Sequence, residues 1–342
     1  MCNTAANLLL DWYDRHKRIL PWRDVKDPYK TWVSEIMLQQ TRVETVMRYF
    51  DRFMEAFPTV QALAEAPVDD VLKLWEGLGY YRRARSLHQG AKDVMEKFGG
   101  ILPKEPADLK KIAGVGDYTA GAIASIAYGV KTPAVDGNVI RVVSRLHGIR
   151  ENVGIPSVKR EIERLAADMV PDKRPGDYNQ AVMDLGATVC VPGTPDCASC
   201  PLRALCNAYE EGDADELPVL PMKNPPKVYE YDVYLIASGE RIVMRQRTES
   251  LLHGLWVYPM TDRDASPEEA FRMQLGSVRF LGEAKHVFTH QVWLMRLYAA
   301  EAPGEAKVPK GMSLHTADEM ETLTIPSAMA AAKKEALKLL GW

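Results

Sequence analysis

The stretch Gly114-Val-Gly-Asp-Tyr-Thr-Ala-Gly-Ala122 decides how the amino-terminal part of this 342-residue chain is read. Its paired glycines allow a tight turn and a close backbone approach to a ligand. The small residues that follow read as a buried helix, whose opening turn offers unpaired N–H groups and the positive end of a dipole, a setting suited to phosphate. Just before it, Pro106-Ala-Asp-Leu-Lys-Lys-Ile-Ala113 has amphipathic helical spacing. A helix-hairpin-helix over about 106–129 is therefore expected, with a nucleic-acid backbone as the phosphate source.

Upstream, Asp27-Pro28 places a capping acid ahead of proline at the first helical position, and Tyr29, Trp32, Val33, Ile36 and Met37 form one apolar stripe. At about 100° per residue, Glu35 lies about 130° round from that stripe, which by periodicity alone makes it a solvent-facing glutamate. Thr41-Arg-Val-Glu44 has capping-box spacing, so the next helix is expected to open at Thr41 with Gln39 and Gln40 in the break. Further starts are read at Pro67, Pro106, Ser157 and Asp177. Within Thr132–Leu146, Asp136 precedes Gly137 and Asn138 at another helix entrance, a capping position worth about 1 kcal/mol. Residues 1–208 thus read as an all-α domain.

Four of the five cysteines cluster at Cys190, Cys197, Cys200 and Cys206, and Cys2 reads as an ordinary odd thiol. The amino terminus carries no basic head and no small-residue cleavage site, so metal is favoured over disulfides. Four thiolates suit structural zinc or an iron–sulfur cubane, and the ligand set does not choose between them. Residues 209–228 are acidic and then proline-rich without periodicity, as expected of a connector. Beyond it, Tyr229–Ser238 and Gly239–Arg247 alternate in strand fashion around a Ser-Gly turn, His290–Ala300 is another strand, and Pro326–Leu340 is helical in composition. Residues 229–342 are therefore expected to form an α+β domain.

Hydrophobic residues make up 46% and charged residues 26%, and no apolar run approaches the roughly 20 residues of a membrane span. A cytoplasmic protein without a membrane partner is expected. Residues 1–208 carry 28 Lys and Arg against 26 Asp and Glu, and residues 209–342 carry 15 against 20. Neither part has the basic excess that binds polyanions by bulk charge, so any DNA contact needs a local patch. Arg82, Arg83 and Arg85, beside Gly77-Leu-Gly79, are the candidates.

Leu-Pro-Trp-Arg at 20–23, SEIMLQQTRVETV at 34–46, WEGLGYYRRARSLH at 75–88, the GVG hairpin, AVDGNVIRV at 134–142, NQAVMDLG at 179–186 and the cysteine spacing are all present. Across residues 20–206 this combination resembles the adenine DNA glycosylases of the MutY type, within the endonuclease III superfamily. The resemblance implies a 4Fe–4S cluster on the four cysteines, in a loop over 190–206, and a helical fold with its active site in a cleft. It implies that Glu35 is the general acid that protonates the adenine leaving group and that Asp136 stabilises the sugar cation, helped by Tyr118 and Asn138. Paired carboxylates answer an oxocarbenium-like transition state. The lyase branch carries a Schiff-base lysine where this chain has Tyr118, so a monofunctional enzyme is expected.

By the same resemblance, Arg23, Gln40, Tyr80, Gly114 and Gly116 are DNA contacts, and the partner is duplex DNA holding adenine opposite 8-oxoguanine or guanine, bound by a monomer. The second domain is similar to the MutT-like, or Nudix-like, carboxy-terminal domain of that family. It lacks the dense glutamate set that holds magnesium in MutT hydrolases, so it is expected to recognise and not to hydrolyse. Phe288-Thr289-His290 matches the family's Phe-Ser-His loop for 8-oxoguanine, with threonine in place of serine. Two other readings compete. An endonuclease III-like lyase is opposed by Tyr118 and the extra domain, and a non-catalytic DNA-binding protein by finding Glu35 and Asp136 both in family contexts.

Overall fold

The computed structural model of the protein describes residues 2–222, 224–303 and 308–342. The chain divides into two compact units, Met1–Ala66 with Ser86–Met222, and Pro67–Arg85 with Lys223–Trp342. The helices in chain order are α1 (Cys2–His16), α2 (Pro28–Leu38), α3 (Val43–Ala56), α4 (Val60–Glu65), α5 (Val68–Leu74) and α6 (Arg82–Phe98). They continue with α7 (Pro106–Leu109), α8 (Asp117–Tyr128), α9 (Gly137–His147), α10 (Pro156–Met169), α11 (Pro175–Thr188) and α12 (Asn207–Glu211). The side chain of Cys2 lies outside the described residues.

Local chemistry sets most helix ends. Asp27 caps α2 by accepting the N–H groups of Tyr29 and Lys30. The start of α3 is a correction: its N-cap is Arg42, with no side-chain capping bond. Gln40 is left-handed at φ +57° and the Thr41 N–H bonds back to the Leu38 carbonyl, so the chain turns once more before the helix begins. Helices α10 and α11 open at Pro156 and Pro175, ahead of Ser157 and Asp177, because proline is preorganised for the first helical position. Helix α7 stops at Leu109, and the Lys111 and Ile112 N–H groups bond three residues back, tightening the chain into the hairpin before α8. The helix-hairpin-helix is thus present.

One core of this unit joins α1, α9, α10 and α11 through Leu9, Trp12, Val143, Ile162, Tyr178 and Leu185. Helix α2 is enclosed on several sides. Tyr29, Thr31, Trp32, Val33, Ser34, Glu35, Ile36 and Met37 are all buried, so the solvent-facing position expected for Glu35 from periodicity is overturned. A helical wheel assumes one buried face, whereas α2 packs against both α3 and α8.

In the second unit, β1 (Lys227–Ser238) and β2 (Arg241–Gln246) form the expected hairpin, with Gly239 left-handed at φ +59° in its turn. The remaining strands are β3 (Trp256–Val257), β4 (Met260–Asp262), β5 (Val278–Val287), β6 (Gln291–Glu301) and β7 (Met312–His315). Among the described residues they make one mixed sheet of order β3-β2-β1-β6-β5, with β4 also paired to β1 and β7 to β2. Strands β1 and β6 run parallel, and β5 pairs antiparallel with β6 through a bulge between Phe280 and Gly282. Val233, Leu235, Met295 and Leu297 pack with Met320, Met329 and Ala332, which lie on and beside α14 (Ala317–Thr322) and α15 (Ala330–Leu339). Tyr234, Ile236 and Ala300 form a separate cluster with Phe271, from the short helix α13 (Pro267–Phe271). Both clusters draw alternate residues of β1, as the two faces of a pleated strand require. Among the described residues no helix is long and apolar enough to cross a membrane.

Candidate active site

Glu35 lies in α2, and Tyr118 lies in the opening turn of α8, just past the hairpin. The hairpin holds α8 in place through close packing: Gly114 is left-handed at φ +79°, and a Cβ there would stand 2.7 Å from the Ser86 Cβ. The Ala113 N–H also donates to the Asp93 carboxylate at 2.8 Å. This geometry brings the Tyr118 hydroxyl onto Glu35 Oε2, to which it donates, with Met183 Sδ at 3.9 Å on its other side. Glu35 is only 6% exposed. Burial pushes its carboxyl up to about 7, the Asp136 charge adds to this, and the Tyr118 hydrogen bond and the Arg23 charge oppose it. A substantial share of Glu35 therefore holds its proton near neutral pH, while burial keeps Tyr118 neutral.

Asp136 caps α9 by accepting the Val139 N–H at 2.8 Å, and its other oxygen accepts from Asn138 Nδ2, also at 2.8 Å. Burial raises its carboxyl, but these donors favour the ionised form. Asn138 is held in turn. Its Oδ1 accepts from Arg141 Nη2 at 2.8 Å, and Arg141 also donates to the carbonyls of Gly186 at 2.6 Å and Cys190 at 2.7 Å. Gly186 allows this approach, since a Cβ there would lie 2.6 Å from the Asn138 Cβ. The loop before Asp136 is fastened by Asn179, which accepts from the Ala134 N–H and donates to the Thr132 carbonyl. Sequence patterns do not single out Arg141, Asn179 or Gly186, although Asn179 and Gly186 bound the NQAVMDLG stretch; only their tertiary partners reveal their work.

The four clustered cysteines are free thiols that line one cavity together with Arg145 and Tyr209. Arg145 is 2% exposed and donates to Cys190 Sγ at 3.3 Å, and to the carbonyls of Val191, Gly193 and Leu217. Burial pushes the Cys200 thiol up to about 11. Among the described residues no three His, Cys, Asp or Glu side chains are gathered as a metal-ion site. Four thiols around one cavity, with a buried guanidinium to offset thiolate charge, nevertheless fit a multi-thiolate group.

Arg23 is 9% exposed, and its guanidinium makes paired bonds of 2.5 and 2.8 Å to Asp184, which also binds Arg18. It is a buried ion pair and presents little surface. Gln40 is exposed on its left-handed turn, and Gly114 and Gly116 are exposed on the hairpin. In the second unit Tyr80 is 46% exposed and also left-handed, at φ +49°. A non-glycine residue is seldom found in this conformation, and such positions gather at functional sites. Of the three neighbouring arginines only Arg82 is exposed. Arg83 lies over the Trp75 and Tyr80 rings and donates to the Leu78 and Gly79 carbonyls, and Arg85 donates to the His253 carbonyl.

Phe288, Thr289 and His290 form the tip between β5 and β6. The Phe288 N–H bonds the Gln291 carbonyl at 2.8 Å, and the Lys227 N–H bonds the His290 carbonyl at 3.1 Å. Phe288 packs edge-on against Trp293 and His286. Thr289 Oγ1 lies 2.7 Å from the Tyr80 hydroxyl.

Comparison with known proteins agrees with this architecture. Residues 33–171 match the family of HhH-GPD superfamily base excision DNA repair proteins, and residues 232–335 match the NUDIX domain. The adenine DNA glycosylase of Homo sapiens is 36% identical over 391 aligned positions, covering 94% of this chain and 72% of that protein. The adenine DNA glycosylase of Buchnera aphidicola subsp. Baizongia pistaciae is 33% identical and covers 82% of each. The solved structure of a thermostable thymine-DNA glycosylase superposes with a TM-score of 0.56 at 28% identity, covering 61% of this chain and 97% of that one. With helices and sheet each matched by a family model, and with relatives from a bacterium to human aligned across both, the chain belongs to the adenine DNA glycosylase family.

Proposed function

We propose that this protein is a monofunctional adenine DNA glycosylase acting on adenine opposite 8-oxoguanine or guanine in duplex DNA. The observation that carries this reading is the buried Glu35 carboxyl, raised to about 7, with the Tyr118 hydroxyl donating to it and no lysine at 118. Adenine is extruded from the duplex, at a cost of a few kcal/mol that is least at a mispair. Glu35 gives its proton to the departing base, the glycosidic bond breaks, and Asp136 faces the positive charge that develops on the sugar. Water then adds to the sugar carbon and releases a proton to solvent, leaving a hydroxyl there. Asn138 holds Asp136, and Tyr118 holds Glu35. Arg23, expected as a DNA contact, is instead taken up by its buried pair with Asp184 and presents little surface to DNA.

Gly114 and Gly116 present the hairpin backbone to a DNA phosphate, Gln40 and Tyr80 fill the stack beside the lesion, and Phe288-Thr289-His290 reads the base opposite adenine. Cys190, Cys197, Cys200 and Cys206 would hold a 4Fe–4S cluster, which when bound supplies a cross-link closing the 190–206 loop. The exposed glycine hairpin and the lack of a basic excess favour a local grip on DNA by a single chain.

A base-release assay tests the chemistry. Wild-type protein is expected to free adenine from a duplex with A opposite 8-oxoguanine and to leave the strand intact until alkali is added. Tyr118→Lys should gain a borohydride-trappable covalent complex with DNA that wild type scarcely forms. Failure to release adenine rejects the enzyme reading, and equal trapping by both proteins rejects the role given to position 118.

Lesion reading has its own test. Adenine is the same in every mispair, so preference must come from the opposite base, where 8-oxoguanine adds a carbonyl oxygen and a ring N–H. A hydroxyl pairs with either. Replacing Thr289 and His290 together with alanine is expected to narrow the preference for A opposite 8-oxoguanine over A opposite guanine about tenfold. Single-turnover excision on both duplexes measures this ratio, and an unchanged value moves lesion reading elsewhere.

A further inference from the structure

Glu76 immediately precedes the turn Gly77-Leu-Gly-Tyr80, in which Gly77, Gly79 and Tyr80 have φ of +99°, +71° and +49°. Such a turn keeps its shape only when its surroundings hold it. From within, the Trp75 indole N–H donates to the Gly79 carbonyl at 3.1 Å, and the Arg83 guanidinium lies over both the Trp75 and Tyr80 rings. From outside, Glu76 Oε1 accepts the Ile325 N–H at 3.1 Å, while Oε2 accepts from Lys73 Nζ at 2.7 Å. Lys73 Nζ also donates to the Leu323 carbonyl at 2.9 Å. One carboxylate and one ammonium thus close a bracket on residues 323–325.

That loop is a firm anchor. Thr324 and Ile325 are 5% and 4% exposed, and the Thr324 carbonyl accepts the Trp256 N–H at 3.0 Å. At the far end of the turn, the Tyr80 hydroxyl meets Thr289 Oγ1 at 2.7 Å, and the Thr289 tip is itself closed by two backbone hydrogen bonds. All these groups belong to the second compact unit.

We propose that Glu76, with Lys73, is a specificity-determining positioning residue: by bracketing the 77–80 turn onto residues 323–325 it keeps the Tyr80 hydroxyl on Thr289, so that lesion preference depends on it. Both Glu76 oxygens are engaged within the protein, by the Ile325 N–H and by Lys73 Nζ, so its influence is assigned through Tyr80 and Thr289. The inference rests on the reading that Thr289 inspects that base, and the test separates the two.

The measurement is single-turnover excision from duplexes with A opposite 8-oxoguanine and A opposite guanine, alongside thermal melting, for the full-length protein. Glu76→Ala should narrow the preference ratio about fivefold through the 8-oxoguanine duplex, with the rate on A opposite guanine unchanged. Glu76→Gln keeps an acceptor for the Ile325 N–H and should restore most of the ratio. Lys73→Met, which removes the partner of the Leu323 carbonyl, should move it in the same direction by less and guards against misfolding of the first variant. Because Glu76 acts through Tyr80 and Thr289, combining Glu76→Ala with Thr289→Ala should narrow the ratio no further than Thr289→Ala alone. A wild-type ratio in Glu76→Ala, an equal rate loss on both duplexes, or a fully additive double variant overturns the proposal. A wild-type ratio in Thr289→Ala instead overturns the reading beneath it.

Discussion

Glu35→Gln is expected to bind a mispaired duplex as wild type does and to release adenine at least about a hundredfold more slowly, the usual loss when a general acid is removed. Glutamine keeps the shape and an acceptor for the Tyr118 hydroxyl but carries no acidic proton. The pH dependence gives the same residue a second signature. Burial lifts the Glu35 carboxyl from an ordinary value of 4.5 to about 7, so the proton-bearing form declines above that pH and wild-type excision should fall with it. The glutamine variant should show no such limb. Near-normal excision by Glu35→Gln, or a pH limb shared by both proteins, removes Glu35 from the role of acid.

Stability should move the other way. The folded state holds the Glu35 proton more tightly than the unfolded chain, so this group's contribution is complete below about pH 4.5 and is lost as pH rises through about 7. Glutamine carries no such dependence. Relative to wild type, Glu35→Gln should therefore gain stability as pH rises from about 5 to about 8, by up to about 3 kcal/mol, since each tenfold change in proton affinity is worth about 1.4 kcal/mol. Melting curves across that range check the sign. A gain of this sign would mean that burial of the Glu35 carboxyl costs the folded state stability near neutral pH.

Asp136→Asn is the companion variant, with excision again expected to fall at least about a hundredfold, because the developing sugar cation loses its facing negative charge. Asparagine is a good helix cap and can keep the bond from the Val139 N–H. Its amide N–H₂ then points at the Asn138 side-chain amide, whose own oxygen is occupied by Arg141, so donor faces donor. A stability loss of about 1 kcal/mol follows from the missing hydrogen bond, and the variant should remain folded. Excision near the wild-type rate would confine Asp136 to capping α9. Circular dichroism beside the kinetics separates lost chemistry from lost fold.

Features encoded over a few residues are legible in the sequence. Asp27 and Pro28 start a helix through contacts within its first turn, the glycines at 114 and 116 mark the hairpin, and alternation in Tyr229–Ser238 marks a strand. Strand β5 escapes such a reading because it is an edge strand with no fully buried residue: six of its ten residues are exposed and the other four only half-buried, so no apolar face marks it in the sequence. The start of α3 differs from its capping pattern because that pattern describes side-chain reach, and the left-handed Gln40 has already turned the chain. By itself, then, the sequence determined the helix-hairpin-helix, the change from helices to strands and the clustered thiols, since each depends on neighbours in the chain. Only the tertiary structure decided that Glu35 is buried, that Arg23 is paired with Asp184, and that Asp136 is braced through Asn138 by Arg141. Burial and ion pairing belong to whatever packs on a residue's far side, and for Glu35 and Arg23 those partners, Tyr118 and Asp184, lie far away along the chain.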